Sequence, residues 1–226
     1  MSRSLSIIVA VVCCAFLPGG SGAQTPTAAD AAVPYASKAR DNAARLHKYS
    51  WKMRVEVTRN GNSLPASSYQ VRYDADGVLQ KTPIASRVKP NKMRGFGSKA
   101  PKEKIQEFDA WTAKLTDLVK EYITPPPDVL ADFFSRAATT TAADGTLEVT
   151  ADNFLHEGDH VTFWIDKATN AAVRSHFSTA LDQDAVEGNV RYAEVENGPT
   201  YPERVRVNAP SKKASAIIET YDYAKR

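Results

Sequence analysis

Hydrophobic and polar residues alternate along several short stretches, and this period of two predicts β-strands with one buried face. The first stretch, residues 51–59, has Trp51 and Val55 on one face and mostly charged residues on the other. Asn60-Gly61 follows, a pair typical of hairpin turns, and leads to a return strand that contains Tyr69. The strands predicted in this way span residues 51–59, 69–73, 78–84, 147–150, 160–166, 171–178, 188–196, 204–207 and 214–223.

Two stretches instead repeat their apolar residues every three or four positions, which predicts helices. The first is Ala-rich and spans residues 35–48. The second spans residues 102–123 and carries Phe108, Trp111 and Leu115 on one apolar stripe. A stripe of this length predicts a helix that buries one side against another layer of the protein.

Three consecutive prolines end the second helix, and a shorter helix is predicted at residues 128–137. Together they form a helical insert at residues 102–137, and residues 139–145 are predicted to be a polar link. The helices therefore occur in two blocks and not between successive strands. This order predicts an α+β fold, a curved antiparallel β-sheet (half-barrel) wrapped over two or three helices.

The N-terminus has the pattern of a secretory signal peptide at residues 1–23: a basic start, an apolar run at 5–16 and small residues before a cleavage site near Ala23. We expect a periplasmic or secreted protein with a flexible leader at 24–34 and a single α+β domain at 35–226. A retained or lipid-modified N-terminus stays open as an alternative. The mature chain contains no stretch of membrane-spanning length.

Composition narrows the candidate chemistry. Both cysteines, Cys13 and Cys14, lie in the predicted signal peptide, which removes a disulfide framework, a thiolate zinc site and a cysteine nucleophile from the mature chain. The net charge is only +3, so charge gives no argument for binding nucleic acid. The hydrophobic content of 42% is too high for a disordered chain. We predict no cofactor.

Basic residues concentrate in a predicted exposed loop at residues 87–104, which holds seven lysines and arginines and one acidic residue. One interpretation is a solvated connector. The other is an electrostatic contact with anionic lipid headgroups or an acidic envelope partner. The candidate contact residues are Lys89, Lys92, Arg94 and Phe96.

The string at residues 156–160 matches H-E-x-x-H, the motif in which two histidines one helical turn apart bind zinc. However, Gly158-Asp159 is a turn pair, and the residues after His160 alternate as a strand. We therefore predict a hairpin loop here and a protein that is not an enzyme. A metal-dependent hydrolase with His156 and His160 as ligands remains the alternative.

Two segments resemble the LolA/LolB-like superfamily of periplasmic lipoprotein carriers. Residues 161–170, VTFWIDKATN, are similar to that group's strand ending W-hydrophobic-D-x-x-T before a turn. Residues 198–205, GPTYPERV, are similar to its G-x-x-x-P start of a strand. The order of helices and strands also resembles this group, although the basic loop and the helical insert depart from it. The resemblance implies a half-barrel with an apolar cavity.

The expected function is therefore an exported, non-enzymatic binding or carrier protein for an apolar ligand such as a lipid or an acyl chain. Large apolar and aromatic residues on the predicted buried faces are candidates for the core or for the cavity lining. These candidates are Trp51, Val55, Tyr69, Phe108, Trp111, Leu115, Phe163 and Trp164.

Overall fold

A computed structural model gives the structure of residues 28–84 and 102–226. The predicted signal peptide and most of the predicted basic loop lie outside these described residues. Those two predictions, and the single domain at residues 35–226, therefore stay predictions.

Three helices lie within the described residues: α1 (Ala28–Leu46), α2 (Lys102–Ile123) and α3 (Pro127–Arg136). The strands are β1 (Tyr49–Arg59), β2 (Asn62–Ser63), β3 (Ser67–Tyr73), β4 (Leu79–Pro83), β5 (Ala138–Thr141), β6 (Leu147–Asp152), β7 (His160–Asp166), β8 (Ala171–Leu181), β9 (Asp184–Glu194), β10 (Thr200–Ala209) and β11 (Ala214–Lys225).

Two boundary predictions need correction. The predicted flexible leader at residues 24–34 overlaps α1, which begins at Ala28, because its alanines are strong helix formers. The predicted polar link at residues 139–145 overlaps β5, a Thr-rich strand that pairs with β6 at the edge of the sheet. The residues of β5 do not alternate between apolar and polar. This strand therefore forms because it pairs with β6, and its sequence pattern alone does not predict it.

The strands form one open antiparallel sheet in the order β4-β3-β1-β11-β10-β9-β8-β7-β6-β5, with the short β2 beside β1. The sheet does not close into a barrel, and the helices cover one of its faces, which we call the inner face. This arrangement confirms the predicted α+β class and the curved antiparallel sheet.

The strand register aligns apolar residues into a row that crosses the inner face. Each residue of this row lies directly opposite the next one on the neighbouring strand. From β6 to β1 the row is Val149, Phe163, Ser175, Val190, Val205, Ile218 and Val55. Because side chains alternate along a strand, this single row places a core layer across seven strands.

The corresponding row on the outer face is charged. It consists of Glu148, Trp164, Arg174, Arg191, Arg204, Glu219 and Arg54. The arginines have acidic neighbours, as in the contacts of Arg191 with Glu203 (2.6 Å) and Arg204 with Glu219 (3.2 Å). The outer face is therefore a solvated surface of mixed charge.

Helix α3 packs against both the sheet and α1. Phe133 and Phe134 are fully buried; the ring of Phe133 meets the edge of Phe163 at a centroid distance of 5.4 Å. The ring of Phe134 contacts Tyr35 of α1 at 4.9 Å. Aromatic side chains therefore connect α1, α3 and the sheet.

Helix α2 rests on the sheet at a position where β9 has no side chain. A Cβ atom on Gly188 would lie 2.1 Å from the ring of Phe177 on β8, so only glycine leaves room for that ring. Phe177 in turn stacks on Tyr122 of α2 at a centroid distance of 4.3 Å. Gly188 thus sets how closely α2 approaches the sheet.

We expect two neighbouring aromatic residues of β7 to differ sharply in their contribution to stability. Phe163→Ala should lower the free energy of unfolding by about 3–5 kcal/mol, because it leaves a cavity among buried rings. Trp164→Ala should cost about 1 kcal/mol, because Trp164 lies on the outer face. Urea denaturation of both variants measures the difference, and equal losses would contradict the assignment of the two faces.

Candidate functional site

The H-E-x-x-H string forms the loop between β6 and β7, which confirms the predicted hairpin loop. Asp159 organises this loop and is only 1% exposed. Its carboxylate accepts hydrogen bonds from the backbone N–H groups of Phe154, Leu155 and His156. It also accepts one from the Tyr122 hydroxyl at 2.5 Å. Asp159, a residue within the H-E-x-x-H string, thus stabilises the conformation of the loop.

The two histidines of the string contact different elements. The Nε2 atom of His156 lies 3.4 Å from Glu121 of α2, and Nδ1 of His160 lies 2.7 Å from Asp152 of β6. Within residues 28–84 and 102–226, no three His, Cys, Asp or Glu side chains form a group suited to a metal ion. A loop replaces the helix that a zinc protease requires, so this geometry gives the metal-hydrolase alternative no support.

Burial, and then the hydrogen bond to Asp159, raise the pKa of Tyr122 above its ordinary value. The Tyr122 hydroxyl therefore stays protonated at physiological pH and remains a donor to the carboxylate. This bond joins α2 to the β6–β7 loop and fixes the C-terminal end of the helix.

Four of the predicted cavity residues come together in an apolar groove between α2 and strands β1, β10 and β11, which we call the α2 groove. They are Val55, Phe108, Trp111 and Leu115. The groove has a volume of about 70 Å³, far below the size of ordinary ligand pockets. These residues are thus neighbours, but the space between them is small.

The other candidates lie elsewhere. Trp51 is buried and stacks on Tyr223 at a centroid distance of 5.3 Å. Tyr69 is half-buried on β3, opposite Met53 of β1. Phe163 belongs to the core and also reaches the wall of a larger cleft described below.

Trp164 is on the outer face and does not line the interior. Its indole Nε1 donates to Glu148 at 3.0 Å, and the guanidinium carbon of Arg174 lies 4.6 Å from the ring centroid. The alternation that predicts β7 already separates Trp164 from Phe163, so the sequence contained the signal that excludes it from a cavity.

A cleft of about 350 Å³ opens between α1, the α2–α3 connection and the inner face of the sheet. We call it the α1 cleft. Its wall is formed mainly by apolar side chains from both helices and sheet. These include Ala39, Ala43, Leu46, Ile123, Leu130 and Ala172. Sequence reasoning predicted the helix here but missed its role as a cleft wall, although its many alanines were the available signal.

Polar side chains also line the α1 cleft, among them Tyr35, Lys38, Arg40, Asn42, His47 and Tyr192. Burial raises the pKa of Tyr192 to about 12. The Tyr192 hydroxyl lies 3.3 Å from the Ser175 hydroxyl, and this hydrogen bond by itself lowers the pKa of Tyr192. Burial, and then Tyr192, also raise the pKa of Tyr35. Both phenols are therefore uncharged hydrogen-bonding groups at physiological pH.

The side-chain amide of Asn42 attaches helix α1 to the sheet. The Asn42 Nδ2 donates to the backbone oxygen of Thr200 at 2.7 Å, and its Oδ1 accepts from the Thr200 N–H at 2.6 Å. Arg45 adds a bond to the backbone oxygen of Asn197 at 3.0 Å. These contacts hold α1 over the α1 cleft.

A third cavity of about 410 Å³ lies at the opposite end of the sheet, beside the N-terminal half of α2. We call it the charged cleft. Its ionisable residues are Arg59, Glu107, Lys114, Asp182, Asp184 and Lys212, and Phe108 and Trp111 are shared with the α2 groove.

The predicted surface-contact residues, Lys89, Lys92, Arg94 and Phe96, lie outside the described residues. Their proposed contact with an acidic partner therefore stays a prediction. Among the helices that the structure describes, none combines the length and apolar character of a membrane span.

We expect the H-E-x-x-H string to matter for folding and not for zinc. Asp159→Ala should lower the free energy of unfolding by about 3 kcal/mol or more, because it leaves three backbone N–H groups and a buried hydroxyl without their acceptor. Glu157→Ala, the matched control in the same loop, is exposed and should change it by about 0.5 kcal/mol or less. Thermal unfolding with added zinc or a chelator should be unchanged; a zinc-dependent rise in Tm would contradict this account.

The chain matches no protein-family model, and no curated protein matches it in sequence. Solved structures with a similar fold include a DUF1329 family protein from Desulfovibrio piger, at 11% identity and a TM-score of 0.44, covering 88% of this chain and 94% of that protein. A LolA superfamily protein from Nitrosomonas europaea, at 11% identity and a TM-score of 0.36, covers 84% and 94%.

A third similar structure is a putative outer membrane lipoprotein-sorting protein domain from Vibrio parahaemolyticus, at 11% identity and a TM-score of 0.38, covering 84% and 92%. The likeness extends to no ligand and no activity.

Proposed function

We propose that this protein is an exported, non-enzymatic binding or carrier protein for an apolar ligand such as a lipid or an acyl chain, held in the α1 cleft. The observation that carries the proposal is the cleft itself. Its volume of about 350 Å³ falls within the range of small-molecule pockets, and it lies between a helix and the apolar inner face of the sheet.

The lining of the α1 cleft suits a ligand with a long apolar part and a polar end. Ala39 and Ala43 contribute small side chains to the helix side of the cleft, which also carries Lys38 and Arg40, and Leu130 supplies apolar surface opposite. Tyr35 and Tyr192 add uncharged hydroxyl groups, which suit an ester or carboxyl oxygen.

The α2 groove is a poorer candidate for the same ligand, although it contains four of the predicted cavity residues. At about 70 Å³ it leaves no space for a long acyl chain unless α2 moves. We therefore locate the long-chain ligand beneath α1.

The proposed location is the periplasm or the extracellular space. It is supported by the signal-peptide pattern at residues 1–23, with a basic start, a short apolar run and small residues before Ala23.

A second proposal concerns the basic segment at residues 87–104, which we propose contacts an acidic envelope partner. Its support is the local excess of lysine and arginine in a chain whose net charge is only +3. Replacing Lys89, Lys92 and Arg94 by Glu should abolish association with envelope components, and association of the unaltered protein should weaken as salt rises. Association that is unaffected by both changes would contradict this proposal.

We expect delipidated protein to bind a dansyl-labelled undecanoic acid saturably, with a blue-shifted emission. Ala43→Trp should weaken this binding at least tenfold, because Ala43 lines the α1 cleft and an indole there would fill it. Ala44→Trp, one position further along α1 and not part of the cleft wall, is the matched control and should bind as the unaltered protein does. Fluorescence titration of the three proteins measures the effect.

Two results would refute the proposal. One is the absence of saturable binding by the unaltered protein. The other is equal binding by Ala43→Trp and Ala44→Trp when circular dichroism shows both variants folded.

A further inference from the structure

We infer that the charged cleft is a second binding site, which takes the anionic head of a small amphiphile while a short hydrocarbon chain enters the α2 groove. The two cavities share Phe108 and Trp111, so a polar space and an apolar space adjoin at these two side chains. The inference does not rest on the proposed function, because the α1 cleft lies at the other end of the sheet.

Arg59 is the first group that points to an anion. Its guanidinium carbon lies 3.7 Å from the centroid of the Phe108 ring, a stacked cation–π arrangement. Among the side chains that the structure describes, Arg59 takes part in none of the ion pairs. A guanidinium stacked on a ring keeps the N–H groups along its edge available, and these fit a carboxylate or phosphate in a bidentate manner.

Trp111 supplies the second observation. Its indole Nε1 is buried and, among the described residues, has no hydrogen-bond acceptor. Buried donors are normally paired, so this N–H calls for an acceptor that the described chain does not provide. Trp111 lines both the charged cleft and the α2 groove, so in this inference the acceptor is an oxygen atom of a ligand held where the two cavities adjoin.

The remaining charges of the cleft largely neutralise one another. Lys114 pairs with Asp182 at 2.7 Å, and Lys212 pairs with Asp184 at 3.0 Å. Glu107 is an exposed carboxylate on the same wall and opposes the charge of Arg59. The cleft therefore recognises an anion through directed donors and not through net positive charge, which favours a monovalent carboxylate over a phosphate dianion.

The α2 groove sets the size of the apolar part. Its walls carry Val57, Leu115 and Ile218, and its volume of about 70 Å³ admits only a short chain. The ligand class is thus a short-chain monocarboxylate, with a phosphate monoester of the same chain as the related alternative.

Isothermal titration calorimetry with octanoate, octyl phosphate and octanol tests this site. We expect octanoate to bind more tightly than octyl phosphate, and both to bind at least tenfold more tightly than octanol. Arg59→Gln should weaken octanoate binding at least tenfold, and Arg59→Lys should weaken it less, because the charge is kept but the bidentate geometry is lost. Arg206→Gln, on the outer face, is the matched control and should bind as the unaltered protein does.

The long-chain dansyl probe separates this inference from the proposed function. Arg59→Gln should leave binding of that probe unchanged, and Ala43→Trp should leave octanoate binding unchanged. Equal affinity for octanol and octanoate, unaltered octanoate binding by a folded Arg59→Gln variant, or no octanoate binding at millimolar concentration would overturn the second site.

Discussion

An open antiparallel sheet with one apolar face must have that face covered, and the rest of this structure depends on how three helices cover it. The inner row from Val149 to Val55 crosses seven strands, which is wider than one helix can bury. Helix α3 covers the β6–β8 region closely, with Phe133 and Phe134 fully buried. Towards β1 and β11 the cover is less complete, and Val55 and Ile218 remain half-buried. The cavities of the protein lie where helix and sheet do not meet fully.

Two polar contacts fix the positions of helices α1 and α2 on the sheet. The hydrogen bond from Tyr122 to Asp159 joins α2 to the β6–β7 loop. Tyr122 also stacks on the Phe177 ring, for which Gly188 leaves room. These two contacts fix the position of the C-terminal end of α2 on the sheet. Asn42 fixes α1 to β10 through both atoms of its amide. The H-E-x-x-H string at residues 156–160 therefore has a structural role in this fold.

Periodic patterns in the sequence predicted individual helices and strands. They did not predict contacts that depend on how the strands align with one another. The apolar stripe predicted α2 with its observed bounds, and Gly158-Asp159 predicted the hairpin loop. It did not predict that Val55 would meet Phe108 and Leu115, since that contact depends on how β1, β11 and β10 align. β5 was missed because an edge strand with Thr on both faces has no alternation to detect. The α1 cleft was missed because a cleft arises from small residues that fail to fill space, and pattern analysis weights large ones.

The space beneath α1 is either a ligand site or an imperfection of packing. Amide chemical-shift mapping by NMR during titration of delipidated protein with dodecanoate distinguishes the two. Binding in the α1 cleft should give saturable shifts concentrated in α1 between Ala39 and Leu46 and in the facing residues Ala172, Tyr192 and Thr200. Shifts confined to the charged outer row, or no saturable shifts at all, would show that the α1 cleft is not a ligand site.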